Sequence, residues 1–432
     1  MITALFVSHS SELRGAENSL ELFVRRVDRL KIQPVIAMPG KGPLFDLVSR
    51  LAVPVYDVPM QWWVPPRDDP PTRLACQYSS LVERLNSLRE IITRHECRIV
   101  HSNSLVVADG ALAAFLEKRP HVWHVRENLN GASGLDPLLG KGMTLAAVKG
   151  LSEKVVAVSE ATASQFRGRQ KLRVIYNGVE LKKGTPIALP GKAVTLKIAF
   201  VGNLVERKGP DLFVDACRRL TDVNAEFYLV GELSDKRVTD RVMGLLEGDP
   251  RRDRFHFLGL RRDVPQILSA CDIYVLSSRN DPFPRTVLES MASGCAVVTT
   301  SSGGAAEAVR SCSAGEVVPA TVEGILDGLR RLIREPNYMR QCRESARRNV
   351  FERYSAERYV QNLAGLLQEV AGNWSKGKNA LCRRRFFNAV QRSEYQLLMR
   401  AFSAIREENS RLKLNRESAL NRIVLRAKGW LR

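Results

Sequence analysis

No stretch of this 432-residue chain approaches the roughly 18 consecutive apolar residues that a membrane-spanning helix needs, and the apolar run at 2–7 is too short for a signal peptide. A cytoplasmic protein without spanning segments is therefore expected. Cysteine is sparse and unpatterned: the eight, at positions 76, 97, 217, 271, 295, 312, 342 and 382, contain no C-x-x-C pair and meet no histidine-rich segment. Reduced structural thiols are expected, without a zinc site. Acids are the minority charge, 46 Asp and Glu against 66 Lys and Arg, and the resulting +20 favours anionic partners such as nucleic acid, anionic lipid or phosphorylated substrates. The core domains do not interleave aromatics with basic residues as nucleic-acid modules usually do, so a nucleic-acid partner is not expected. No Asp-x-Asp motif stands beside a strand, and Asp68-Asp69 lies in a proline-rich loop, so no metal ligands are expected.

What is present is a globular composition in a chain too long for one ordinary core. Short β-branched runs at 2–7, 35–38, 53–58, 99–101, 122–125, 155–158 and 174–176 alternate with helical or loop segments such as 18–30, 81–95 and 107–117. Periodicity lapses over Glu180–Lys192, where Gly, Pro and Lys gather, and then restarts with strands expected at 196–201, 227–230, 255–258, 273–276 and 296–299. Helices are expected between them at 210–220, 238–246, 264–270 and 285–293. Strands alternating with helices give parallel sheets covered on both faces. The expected fold class is α/β, with two Rossmann-like, doubly wound domains: residues 1–180, a linker at 181–195, and residues 196–372. A basic helical tail, 373–432, follows. It carries fifteen Lys and Arg against Glu394, Glu407, Glu408 and Glu417, and so holds +11 of the net charge. Its mixture of cations with Leu, Ile, Phe and Trp430 suits a helix lying on an anionic membrane surface, or one packed on the enzyme or another subunit.

In open parallel sheets, ligands bind at the carboxyl ends of the strands, where turns and helix N-termini supply backbone N–H donors. The unusual residues lie in those turns. Asp281-Pro282-Phe283-Pro284-Arg285 leads into a helix that carries Glu289 and ends at Ser290-Met291-Ala292-Ser293-Gly294. A helix starting near Arg285 leaves Asp281 in the preceding loop and puts Glu289 about one turn inside. Taken alone, such a pair is a loop cap and a solvated helix residue. Gly303-Gly304 follows the next strand, with Glu307 beyond, and Gly202-Asn203-Leu204-Val205-Glu206-Arg207-Lys208 ends the first strand of the second half. Glycines there permit close approach of backbone to a phosphate or sugar.

Together these segments resemble the large family of retaining glycosyltransferases of GT-B fold, the group 1 or family 4 type. The resemblance covers about residues 1–370 and is strongest over 196–310. It implies transfer of a hexosyl unit from a nucleoside diphosphate sugar to a hydroxyl acceptor, with no cofactor and no covalent enzyme nucleophile. Asp281 and Glu289 match the acid pair that faces hexose and ribose, although the family usually has Glu at the first position. Lys208 matches the lysine on the diphosphate. Asn203 stands where arginine is common, and Arg207 is a candidate substitute. Gly202, Gly259, Leu260, Phe283, Pro284, Arg285, Gly303 and Gly304 complete the implied donor site, and Gly15, in Arg14-Gly15-Ala16-Glu17, is the implied contact from across the cleft.

On the acceptor side the resemblance points to the turns after 101 and 123, and the family histidine's work falls to His124 or to Arg126. A saccharide or lipid-linked acceptor, used in surface polysaccharide or glycolipid synthesis, is the setting implied, with the protein cytoplasmic and peripheral on the inner membrane face. The loop 59–80, with Trp62, Trp63 and five prolines, is a candidate to receive the acceptor or to rest against a membrane, the alternative being a rigid surface loop with a local tryptophan cluster. Alternatives are a nucleotide-sugar epimerase or sugar phosphorylase of similar shape and, in another class, a basic nucleic-acid-binding protein.

Overall fold

A computed structural model describes residues 1–67, 80–130, 132–180, 185–192 and 196–374. Asp68-Asp69, Cys76 and all of the basic tail beyond residue 374 lie outside them.

Seven strands form the first sheet: β1 Ile2–Val7, β2 Ile32–Met38, β3 Val55–Asp57, β4 Ile99–Ser102, β5 His121–Val125, β6 Lys154–Ala157 and β7 Leu172–Val174. Their order is β3-β2-β1-β4-β5-β6-β7, all parallel. The second sheet holds β8 Leu196–Val201, β9 Ala225–Val230, β10 Phe255–Gly259, β11 Ile273–Leu276, β12 Ala296–Thr300 and β13 Gly315–Val318, ordered β10-β9-β8-β11-β12-β13 and again parallel. The central strands are buried on both faces, as continuous runs such as Ala-Phe-Val in β8 and Ile-Tyr-Val-Leu in β11 require. In each sheet the first strand sits where the order reverses, which is the topological switch point of a doubly wound fold. β1 and β8 thus deliver their following turns to the ligand-binding edge.

The division between the halves is less simple than the expected domain limits. The helix Ala356–Gly372, expected to close the second domain, packs on the first: Tyr359, Leu363, Leu367 and Val370 share a core with Phe6, Phe23 and Ile36. The chain crosses back beside its outward crossing, where Val179 pairs with Ser355 and exchanges backbone bonds with Tyr354 and Ala356. Gly178 makes this contact possible, because a Cβ there would lie 2.8 Å from Tyr359 Cβ and 2.9 Å from Ala356 Cα. The described part of the expected linker is fixed rather than free: Tyr228 donates to the Pro190 carbonyl at 2.6 Å, and Ile187 and Leu189 join a second-domain cluster.

Candidate functional site

The donor-side turn after β8 is a single 3-10 turn, Glu206–Lys208, closed by Gly209 at φ +63°. The positive φ favours glycine, and space demands it too, since a Cβ at Gly209 would stand 2.3 Å from the Ser277 carbonyl oxygen. This packing sets the β8 turn directly against the β11 turn. There Lys208 Nζ reaches Asp281 Oδ2 at 2.5 Å, and Arg207 approaches the same oxygen at 3.6 Å. Burial lowers the pKa of Lys208 and Arg207 pushes the same way, while the Asp281 carboxylate offsets them. Gly202 lies beneath the lysine stem, where a Cβ would make ordinary contacts at 3.5–3.8 Å, and Asn203 is half-buried in the same turn.

Asp281 is held by its own backbone. It forms a bridge with Gly303, whose Cβ, if present, would lie 1.9 Å from the Asp281 carbonyl oxygen. Gly304 donates to the Asp281 and Pro282 carbonyls and likewise has no room for a side chain. The glycine pair therefore shapes the acid's turn. The helix Arg285–Ser293 starts with Pro284 as its cap and ends at Gly294 in the left-handed region, matching the boundaries read from sequence. Glu289 is one turn in, 3.6 Å from Arg285.

Of the other expected donor residues, Phe283 and Arg285 are engaged by protein neighbours and Leu260 is open to solvent. Phe283 is only 4% exposed, its ring against Tyr176 at 5.0 Å and Tyr354 at 5.6 Å, so it anchors the turn from behind and its side chain does not face the cleft. Arg285 reaches into the first domain, donating to Ser19 Oγ at 3.3 Å and the Gly178 carbonyl at 3.2 Å. Leu260 is 76% exposed beyond the bulged end of β10, where Gly259 takes φ +66°. Gly15, at the first position of the helix Gly15–Arg26, has open space where a side chain would go.

The acceptor-side expectations need more correction. His124 is fully buried, as are His101, Ser102, Asn103 and Ser104, so these strand ends shape the cleft from beneath and do not line it. Arg126 is half-buried and donates to Asn103 Oδ1 at 3.1 Å, Asn177 Oδ1 at 2.7 Å and Tyr359 Oη at 3.2 Å. That joins β4, β5, the outward crossing and the returning helix. Burial and Arg126 push His101 down to about 3 and His124 well below the usual range.

His9, in the turn after β1, is only partly buried, and sequence reading passed over it because a lone histidine after a strand carries no motif. Its Nε2 lies 3.2 Å from Glu17 Oε1, without hydrogen-bonding geometry, and neither Glu17 Oε1 nor His9 Nδ1 has another partner. Burial lowers His9 to about 4 and raises Glu17, so the imidazole is neutral at ordinary pH. Trp62 leans over His9, ring centroids 5.5 Å apart, whereas Trp63 donates to the Leu105 carbonyl at 2.6 Å and stacks on buried Trp123. The two tryptophans therefore differ in kind. Among the described residues no group of three or more His, Cys, Asp or Glu is placed to hold a metal ion, and no helix is long and apolar enough to cross a membrane.

Two family models match the two halves: glycosyl transferases group 1 over residues 192–349, and Glycosyltransferase Family 4 over residues 13–183. The chain is 27% identical over 290 residues to a lipopolysaccharide core biosynthesis mannosyltransferase of Rhizobium leguminosarum bv. viciae, covering 59% of this chain and 80% of that protein. It is 24% identical over 325 residues to an Escherichia coli UDP-Gal:alpha-D-GlcNAc-diphosphoundecaprenol alpha-1,3-galactosyltransferase, covering 69% and 81%. Among solved structures it resembles Anabaena HepE in complex with UDP, with a TM-score of 0.69 at 20% identity over 85% of this chain and 100% of that one, a likeness of fold.

Proposed function

The chain belongs to the group 1 glycosyltransferases of GT-B fold, and on that premise we propose that it moves a hexosyl unit from a nucleoside diphosphate sugar to a hydroxyl acceptor with retention at the anomeric carbon. The observation that carries this reading is the convergence of Lys208, Arg207 and Asp281 where the β8 and β11 turns meet. A cleaving glycosidic bond leaves growing charge on the diphosphate, and preorganised cations in a partly buried turn stabilise that charge without reorganising. Lys208 and Arg207 take that role. Asp281 keeps Lys208 charged and aimed, and Glu289 faces the donor from the first turn of its helix. In a retaining transfer on one face, the leaving phosphate helps to take the acceptor proton, so no enzyme nucleophile is needed.

On the acceptor side, Trp62 offers an aromatic face and His9 an unprotonated ring nitrogen beside the open N-terminus of the helix Gly15–Arg26. The relatives' names favour a saccharide or lipid-linked acceptor in lipopolysaccharide, polysaccharide or glycolipid synthesis. A peripheral place on the inner membrane face, reached through the basic tail, fits such an acceptor. No cofactor or metal enters this scheme, because side chains and backbone N–H groups meet the phosphate charge; full turnover in EDTA is the expected result, and loss restored by magnesium or manganese would refute it.

The purified protein, challenged with UDP-, GDP- and dTDP-sugars, should melt at higher temperature with at least one of them, since a ligand bound only to the folded state stabilises it. Product analysis with that donor then distinguishes transfer from epimerisation and retention from inversion. No shift with any donor would overturn the reading.

A further inference from the structure

The turn that carries Asp281 belongs to the second domain but is anchored on the first. Asn280, 3% exposed, donates from Nδ2 to Asn130 Oδ1 at 2.9 Å and accepts at Oδ1 from Asn128 Nδ2 at 3.1 Å. Asn128 is in turn fixed by Thr162, whose Oγ1 donates to Asn128 Oδ1 at 2.8 Å. On the other side of Asp281, the Pro282 carbonyl accepts from Ser159 Oγ at 2.7 Å and the Phe283 carbonyl from Asn177 Nδ2 at 2.9 Å. Asn128, Asn130, Ser159 and Asn177 lie in the loops that leave β5, β6 and β7 of the first sheet, and Thr162 in the short helix Glu160–Ala163 after β6. Between them Asp281 points the other way, to Lys208 of its own domain.

We infer that Asn128, Asn130 and Asn280 are positioning residues of the donor site, an asparagine bridge by which the first domain fixes Asp281 and, through it, Lys208. The inference rests on the donor-site reading above and names what holds that site in place. Two features make the bridge more than a passing contact. Both hydrogen-bonding ends of the Asn280 amide are engaged while the residue is almost wholly buried, so breaking the bridge strands polar groups away from water. The flanking carbonyls are held as well, so the backbone of residues 280–283 cannot turn to find substitutes. Affinity for a nucleoside diphosphate then depends on residues that never touch it. Because Asn128 and Asn130 directly follow the acceptor-side turn Arg126-Glu127, a ligand that moves that loop must shift donor affinity, and the donor must shift that ligand's affinity by the same factor.

The test titrates the full chain calorimetrically with UDP, GDP, ADP and dTDP, and compares wild type with Asn130→Ala, Asn280→Ala and the double variant. Asn130 is exposed and adds nothing to the core, so its replacement keeps the fold, and the melting temperature of the free protein should fall by no more than the one stranded Asn280 bond accounts for. The expected result is nucleotide binding weakened about tenfold in Asn130→Ala, the scale of one hydrogen bond, with a larger loss in Asn280→Ala. The double variant should be no weaker than Asn280→Ala alone, because both remove one bridge. A merely structural contact would lower the melting temperature and leave Kd alone. Should Asn280→Ala fail to fold, Asn130→Ala carries the test. Wild-type Kd in the single variants overturns the inference and leaves the proposed function standing, whereas a wild type that binds none of the four nucleotides overturns both.

Discussion

Lys208 and Asp281, 73 residues apart in the chain, meet at 2.5 Å because one ends the turn after β8 and the other the turn after β11, and these strands are neighbours. The lysine is largely buried, and Asp281 is the closest carboxylate to it. Removing either member therefore changes the other.

Lys208→Ala should lower turnover about thirty- to a thousand-fold, roughly 2–4 kcal/mol of transition-state stabilisation, by analogy with the loss of one preorganised donor. Asp281→Glu should retain more activity than Asp281→Asn, because only the former keeps a counter-charge for the lysine. Steady-state kinetics with the donor found by thermal shift checks both. Near-normal turnover in folded Lys208→Ala would remove the lysine from the mechanism, and equal activity of the two Asp281 variants would remove the acid.

Gly303→Ala should disable the site while sparing the rest of the second core. Its new methyl group would lie 1.9 Å from the Asp281 carbonyl oxygen, a backbone atom that cannot swing away. The turn must open, carrying Asp281 from Lys208. Donor binding should fall at least tenfold, whereas Gly15→Ala, where space is open, should leave the fold and its stability intact. Wild-type donor affinity in Gly303→Ala would show that the glycine bridge does not position the acid.

Trp62 and Trp63 adjoin in sequence but should give opposite phenotypes. Trp62→Ala is expected to raise acceptor KM with donor binding unchanged. Trp63→Ala strips a hydrogen bond from Leu105 and a stacking partner from Trp123, and should cost about 3–5 kcal/mol of stability in the manner of large core truncations. Chemical unfolding and acceptor kinetics separate the two effects, and a stable Trp63→Ala with raised acceptor KM would reverse the assignment.

Stability should fall as pH drops below about 6.5. His9, His101 and His124 are each held below the ordinary histidine value in the folded state, mainly by burial, so they take up protons on unfolding. Each contributes a slope of up to about 1.4 kcal/mol per pH unit between its unfolded and folded values. Glu17 and Asp109 are raised by burial and act in the opposite sense, in a window that begins at the carboxylate range. His95 is lowered as well, by burial and by Arg94, so four histidines against two carboxylates leave net proton uptake. Urea midpoints measured from pH 8 to pH 5 should decline with acidity, and a flat profile would show that these histidines titrate normally.

Much of this was legible before any coordinates. The strands could be read because β-branched runs buried on both faces admit few alternatives, and the donor helix because Pro284 and Gly294 bracket it. β13 escaped because Gly-Glu-Val-Val is short and three of its four residues are only half-buried. The fate of Phe283 was hidden for a different reason: an aromatic residue in a ligand loop reads the same whether it faces the ligand or braces the loop. The same holds for the helix Ala356–Gly372, whose apolar stripe announces burial but not against which core. The bonds of Asn177, which accepts from Ser19 and Arg126 and donates to the Phe283 carbonyl, join segments far apart in the chain and leave no mark in the local sequence.

The returning helix makes the protein a poor candidate for cutting in two. A cut in the linker alone would leave the first sheet without the cover that Tyr359, Leu363 and Leu367 provide, and would leave those side chains bare on the second half. Exchange of halves with a relative, the usual route to new donor and acceptor pairings, therefore takes two junctions, one beside Val179 and one beside Ser355, where the strands of the crossing lie together. By this topology the second domain is an insertion within the first, and recombination that respects it keeps both cores whole.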